Sequence, residues 1–238
     1  MAPVDLLAVG AHPDDVEFGA GGLLCLSAQR GDRVGVADLT RGEAGSKGDA
    51  DLRAREAAAA AAVYGAAFRA NLDLGDTRLA DTPEAAGELA ALIRACRPHV
   101  VLAPPAADRH PDHRAAALLV RRAVLYAGLG KLGDGAPASP AVLHYAVNEW
   151  ERPDFVVDVS GVWEARLRAL RAFASQTAAT VEIDRSYFGA HDYVRLIEAR
   201  AAYHGALIGV PHGEGYWLAH GGVPLADPLR AFGGSEKP

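Results

Sequence analysis

The stretch VDLLAVGAHPDD, Val4 to Asp15, decides the fold. Its first half, Val4–Val9, is an apolar run with the length and content of a strand buried on both faces. A glycine follows, then at once a histidine and two adjacent carboxylates. A helix pattern runs from about Val16 to Arg30 and stops at Gly31-Asp32. The chain does nearly the same again later. His99–Ala103 reads as a strand, and RHPDH, Arg109 to His113, leads into a helix from Asp112 to about Gly128.

Between these two units lie a strand at Arg33–Leu39 and a glycine-rich, charged loop at Thr40–Asp51. A helix at Leu52–Tyr64 and a strand at Ala67–Leu72 come next. Thr82 then caps a helix with Pro83 in its first turn, running to Arg97. Strand and helix thus alternate over roughly residues 4–128. That order predicts an α/β fold, a Rossmann-like open and mostly parallel sheet with helices on both faces. Beyond a Gly- and Pro-rich loop at Gly130–Pro140, strands are expected at Ala141–Val147 and Phe155–Val159. Helices are expected at Val162–Ala174 and about Ala190–Gly205, and the last thirty-odd residues read as irregular. No linker or repeat interrupts the pattern, so 1–238 is expected to be a single domain with its C-terminal part at about 141–238.

Composition narrows the function. The 238 residues are 50% hydrophobic and 23% charged, enough for a core that holds a precise site without disulfides. A net charge of −6 with no long basic run argues against nucleic acid, because phosphate neutralisation needs clustered Lys and Arg. No signal peptide or membrane-spanning run is visible, so a cytoplasmic protein with no membrane partner is expected. Cys25 and Cys96 lie in separate apolar patterns and read as buried thiols.

In open parallel sheets, ligands bind outside the carboxyl ends of the strands. Both H-P-D motifs fall there. His12, Asp14, Asp15, His110, Asp112 and His113 would bring three imidazoles and three carboxylates to one crevice. Like charges so crowded repel unless a cation or protons sit among them, and imidazole with carboxylate is a normal ligand set for Zn²⁺. One H-P-D alone is ordinary turn chemistry, with Asp capping a helix. Two at equivalent strand ends point to a metal. Arg41, Glu43, Ser46, Arg53 and Asp76 follow strands two and three on the same sheet edge.

Other readings are weaker. Gly19, Gly21 and Gly22 suggest a nucleotide-binding module, yet they come after the turn and form no G-x-G-x-x-G. They fit a first helix that approaches its neighbours closely. No G-x-S-x-G supports a serine hydrolase. His144, His191, His204, His212 and His220 are scattered and read as structural, as do Trp150, Trp163 and Trp217.

A-H-P-D-D after strand one, G-A-G-G in the first helix, T-R-G-E after strand two and H-P-D-H after strand four resemble the PIG-L/LmbE-like zinc N-deacetylases. Within that family the chain resembles most the bacillithiol-biosynthesis branch, through D-R-H-P-D-H at 108–113, N-E-W at 148–150, Ser175-Gln176 and G-E-G-Y at 213–216. The resemblance implies hydrolysis of the N-acetyl group of an N-acetylglucosamine conjugate. The malate conjugate is expected first, and another N-acetyl sugar or a chito-oligosaccharide second. It implies one Zn²⁺ held by His12, Asp15 and His113, with Asp14 as general base. His110 would face the oxyanion, oriented by Asp112, and Arg53 would contact substrate. A homo-oligomer is also implied. The mycothiol branch carries a tyrosine two residues before its H-P-D-H, where this chain has Asp108.

Amide hydrolysis needs an activated water, a partner for the oxyanion and a proton for the leaving amine. Asp15 cannot be both ligand and free base, so Asp14 is the natural base. A carboxylate of pKa about 4 returns a proton poorly at neutral pH, so burial should raise Asp14. His110 is expected protonated, with Asp112 on its other ring nitrogen. Glu43, Asp76, Arg53 and Arg109 are the candidates for holding substrate.

Overall fold

A computed structural model describes residues 2–148, 151–177 and 192–219. Seven strands form one sheet: β1 Leu6–Gly10, β2 Val34–Asp38, β3 Phe68–Asn71, β4 Val100–Ala103, β5 Ala141–Tyr145, β6 Phe155–Asp158 and β7 Gly213–Leu218. Their order is β3-β2-β1-β4-β5-β7-β6. The first five run parallel, and β7 pairs antiparallel with both β5 and β6. The helices are α1 Asp15–Gln29, α2 Ala50–Tyr64, α3 Pro83–Cys96, α4 Pro111–Gly128, α5 Trp163–Arg171, the short α6 Ala174–Thr177, and α7 Tyr193–Ile208.

Strand β1 is buried along its whole length, as its apolar run requires. Leu6 and Ala8 join one core with Val16, Phe18 and Leu24 of α1, Tyr64 of α2, Leu167 and Leu170 of α5, and Ile197 of α7. Leu7 and Val9 join the other, with Leu89 and Ile93 of α3 and Leu119 and Val120 of α4. The period of two along the strand thus divides the layers. No described helix is long and apolar enough to cross a membrane.

Strand β1 has β2 on one side and β4 on the other. The order therefore reverses between β1 and β4, and the two H-P-D turns flank that switch point.

One expectation fails. Gly213–Leu218 lies in the stretch read as irregular, yet it is β7. Its sequence, GEGYWL, hides the strand because two positions have no side chain and the third is a buried glutamate. Glu214 accepts from the main-chain N–H groups of Gly22 and Leu23 at 2.7 and 2.8 Å. A Cβ on Gly22 would stand 2.8 Å from that carboxylate, and one on Gly19 would stand 2.0 Å from Tyr145 Cδ2. The glycines of α1 therefore serve close helix–sheet packing. The expectations for Trp150, His191 and His220 lie outside the described residues, as does the tail beyond 219. Trp163 is buried and stacks on His212 with centroids 4.1 Å apart, a packing role for both.

Candidate metal centre

The turn after β1 is tight. Asp14 caps α1 with φ 118°, a left-handed conformation that a residue with a side chain adopts only under constraint. That twist separates two adjacent carboxylates. Asp15 turns inward, where its Oδ2 accepts the His12 N–H at 2.9 Å and lies 3.6 Å from His12 Nδ1. Asp14 turns the other way, onto Arg53.

His113, in the first turn of α4, brings Nε2 to 3.2 Å from Asp15 Oδ1. Among the described residues two groups of three donors could hold a metal ion: His12, Asp15 and His113, or His12, His110 and Asp112, each within 4.8 Å. The first is the set that the family resemblance implies. Donors around a tetrahedral zinc stand roughly 3.3–3.6 Å apart; the 3.2 and 3.6 Å separations are of that order, each made to a different oxygen of Asp15. The outward nitrogens also fit. His12 Nε2 lies 3.1 Å from Asp76 Oδ1 and 3.3 Å from Asp112 Oδ2, and His113 Nδ1 lies 3.1 Å from Asp108 Oδ1. Metal-binding imidazoles characteristically carry a carboxylate on the second nitrogen, which sets tautomer and orientation.

The electrostatics agree with a cation site. Burial disfavours charge on His113, but Asp15 and Asp108 lift it to about 9. His12 is likewise driven up against its burial by Asp112, Asp15 and Asp76. Protons therefore collect where a divalent ion would otherwise balance the carboxylates. Asp14 behaves differently. Burial pushes it up to about 7, with Arg53 pulling the other way.

His110 departs from expectation. Its Nδ1 accepts the Asp112 main-chain N–H at 3.2 Å, while the Asp112 carboxylate accepts from Thr77 N–H at 2.8 Å and faces His12. Burial and the neighbouring imidazoles His113 and His12 push the ring below its usual pKa. With Nδ1 accepting that N–H, the Asp112 carboxylate does not hold this nitrogen, and the proton of the neutral ring would sit on Nε2. Asp112 orients His110 through the main chain.

The expected substrate residues are placed differently too. Arg53 is buried and donates to Asp14 Oδ2 at 2.8 Å and to the Pro13 carbonyl. Glu43 accepts from the Asp76 and Arg41 N–H groups, and Asp76 accepts from Ala44 N–H, which ties the long loop to the back of His12. Arg109 is half-buried beside Asp108. Ser175 and Gln176 hold Glu56 and the Lys47 carbonyl, bracing that loop. Arg41 and Ser46 are exposed, and Arg41 lines a cavity of about 360 Å³ with Pro13, Ala54 and Asn71.

Sequence reading missed the role of Asp108. It is fully buried, bonded to His113 and the His110 N–H, and held by Asn148 at 2.9 Å. The signal was the position noted only as lacking a tyrosine.

Residues 7–124 match the family model PIG-L, GlcNAc-PI de-N-acetylase. Diacetylchitobiose deacetylase of Thermococcus kodakarensis is 32% identical over 228 residues, covering 88% of this chain and 81% of the relative. The chain belongs to the PIG-L family. By its kinship with the named deacetylase this chain is an amidohydrolase, and the buried His/Asp centre lies within the matched residues. The crystal structure of the conserved protein TT1542 from Thermus thermophilus superposes with a TM-score of 0.83 at 37% identity, covering 94% of this chain and 98% of the other. A 4-oxalmesaconate hydratase of Pseudomonas putida is 30% identical over 190 residues, covering 71% of this chain and 73% of the relative.

Proposed function

We propose that this enzyme is a zinc-dependent deacetylase of an N-acetylglucosamine conjugate, with N-acetyl-D-glucosaminyl L-malate as first substrate. The observation that carries the reaction is the split between Asp14 and Asp15. One carboxylate faces both candidate metal histidines, and its neighbour is buried, ion-paired and turned away from them.

His12, Asp15 and His113 would hold the metal. Zinc there supplies Lewis-acid activation of water and of the acetyl carbonyl. Asp14 takes the proton from the attacking water and returns it to the leaving amine, a task suited to a carboxylate lifted to about 7. Arg53 holds Asp14 in place. His110 offers its Nε2 proton to the oxyanion, as a neutral donor rather than a cation. With Arg53 committed to Asp14, Arg41 is the exposed cation nearest the adjoining cavity and would meet a malate carboxylate.

The Thermococcus relative favours a second reading, deacetylation of a chito-disaccharide. The Pseudomonas relative favours a third, addition of water to a carbon–carbon double bond. A free-amine release assay over a panel of N-acetylglucosamine conjugates, with and without chelator, separates them. Preference for the malate conjugate with loss under chelator is expected. Preference for chitobiose moves the substrate, equal activity under chelator sinks the metal role, and no amine from any conjugate sinks deacetylation.

A further inference from the structure

A second buried charge cluster uses none of the metal-site side chains, and it is not neutral. Arg166 of α5, Arg200 and His204 of α7 and Glu214 of β7 are each 4% exposed or less. The Glu214 carboxylate accepts from Gly22 N–H, Leu23 N–H, Arg166 Nε and Tyr216 Oη, all within 2.9 Å. Four hydrogen bonds fill its ordinary accepting capacity. Arg166 Nη2 and Arg200 Nη2 both donate to the Phe18 carbonyl, and Arg200 Nη1 donates to the Val147 carbonyl. Among the described residues two guanidiniums share one carboxylate, which leaves one positive charge in excess.

Among the described residues two nitrogens of the cluster have no partner, Arg166 Nη1 and His204 Nε2. His204 Nδ1 accepts the Gly215 N–H at 3.0 Å, so the ring proton sits on Nε2. Burial and Arg200 push His204 down to about 4, so the ring is neutral. Both unsatisfied groups are therefore donors. The cluster lines a cavity of about 10 Å³ with Gly19, Ala146 and Gly215, close to the volume that admits a single small occupant.

We propose that this cavity binds a chloride ion, held between Arg166 Nη1, His204 Nε2 and the excess guanidinium charge. A water would accept from both donors but would leave the charge uncompensated. Halide accepts from every side and neutralises the site. It fastens α5, α7 and β7 to α1, the helix that begins with Asp15. Binding to the folded state alone makes stability depend on chloride.

Crystals of the zinc-loaded enzyme grown in bromide test the site directly. An anomalous peak within hydrogen-bonding range of Arg166 Nη1 and His204 Nε2 is expected. An ordered water there without anomalous signal, or an empty cavity, overturns the proposal. In solution, the unfolding midpoint should rise with the logarithm of chloride or bromide concentration, against gluconate at constant ionic strength and zinc. Equal midpoints in chloride and gluconate overturn it. Arg166→Gln should lose the chloride increment, and an undiminished increment in that variant counts against the site. Should that variant fail to fold, the bromide experiment on the unaltered protein still decides.

Discussion

Arg53 Nη2 meets Asp14 Oδ2 at 2.8 Å, and both side chains are almost wholly withdrawn from water. The pair joins the first turn of α2 to the strained turn after β1. It sets where the base points and how readily it ionises. Arg53→Ala should therefore lower kcat by on the order of 10²-fold through loss of position, while zinc content stays near one per chain. The base works ionised, so kcat/KM rises with pH through the Asp14 pKa. Arg53 pulls that pKa down against burial. Its removal should move the acid limb of the pH profile to higher pH. A limb that stays put would remove Arg53 from the tuning of Asp14.

His12 and Asp14 stand two residues apart and should fail differently. His12→Ala should lose metal and activity together, read by metal analysis after dialysis. Asp14→Asn should keep its zinc and lose kcat by on the order of 10²–10⁴-fold, the usual range for a general base. An Asp14→Asn protein that dialyses free of metal would reverse the roles of the two aspartates.

Asp108 acts on the metal through His113. Asp108→Asn keeps the size but removes the charge behind Nδ1, so zinc affinity should fall about 10–100-fold. Competition with a chelator measures it. Activity at saturating zinc should recover most of its value. Loss of kcat that zinc does not restore would place Asp108 nearer the chemistry.

The sheet core, the switch point and the crowding of H-P-D-D against H-P-D-H were legible because each rests on local pattern. Apolar runs mark strands, and strand ends are where ligands bind. What was not legible depends on distant partners. Arg53 read as a substrate contact, and its bond to Asp14 was not legible because that partner lies 39 positions away. Strand β7 was hidden because Gly213 and Gly215 carry no side chain and Glu214 finds its partners in α1 and α5. The partner of His110 Nδ1 is a main-chain N–H that no residue pattern announces.

Arg41 is the exposed cation beside the 360 Å³ cavity, and its pairing with Asp51 at 3.3 Å is solvent-exposed. Such pairs contribute little to stability, so Arg41→Ala should leave the unfolding midpoint unchanged. With the malate conjugate, KM should rise about 10-fold while kcat holds, the signature of lost ground-state binding. With a neutral chito-disaccharide, neither constant should move. Equal losses on both substrates would detach Arg41 from recognition of acid groups.

Gly19 and Gly87 separate packing from backbone freedom, because both lie inside helices. A Cβ on Gly19 would stand 2.0 Å from Tyr145 Cδ2 and 2.7 Å from the Ala146 carbonyl oxygen. Tyr145 cannot swing aside, since it is fully buried and its hydroxyl donates to the Val9 carbonyl at 2.8 Å. Gly19→Ala should therefore cost about 1–3 kcal/mol through overpacking and shift α1 away from the sheet. Because α1 opens with Asp15, the same variant should bind zinc more weakly. Gly87, exposed in α3, has nothing within 4 Å of its added Cβ. Gly87→Ala should gain about 0.4–1 kcal/mol by restricting the unfolded chain. Denaturant unfolding of the two variants gives both signs. A neutral Gly19→Ala would mean that α1 has room to move off β5, and that the G-A-G-G glycines are not there for close packing.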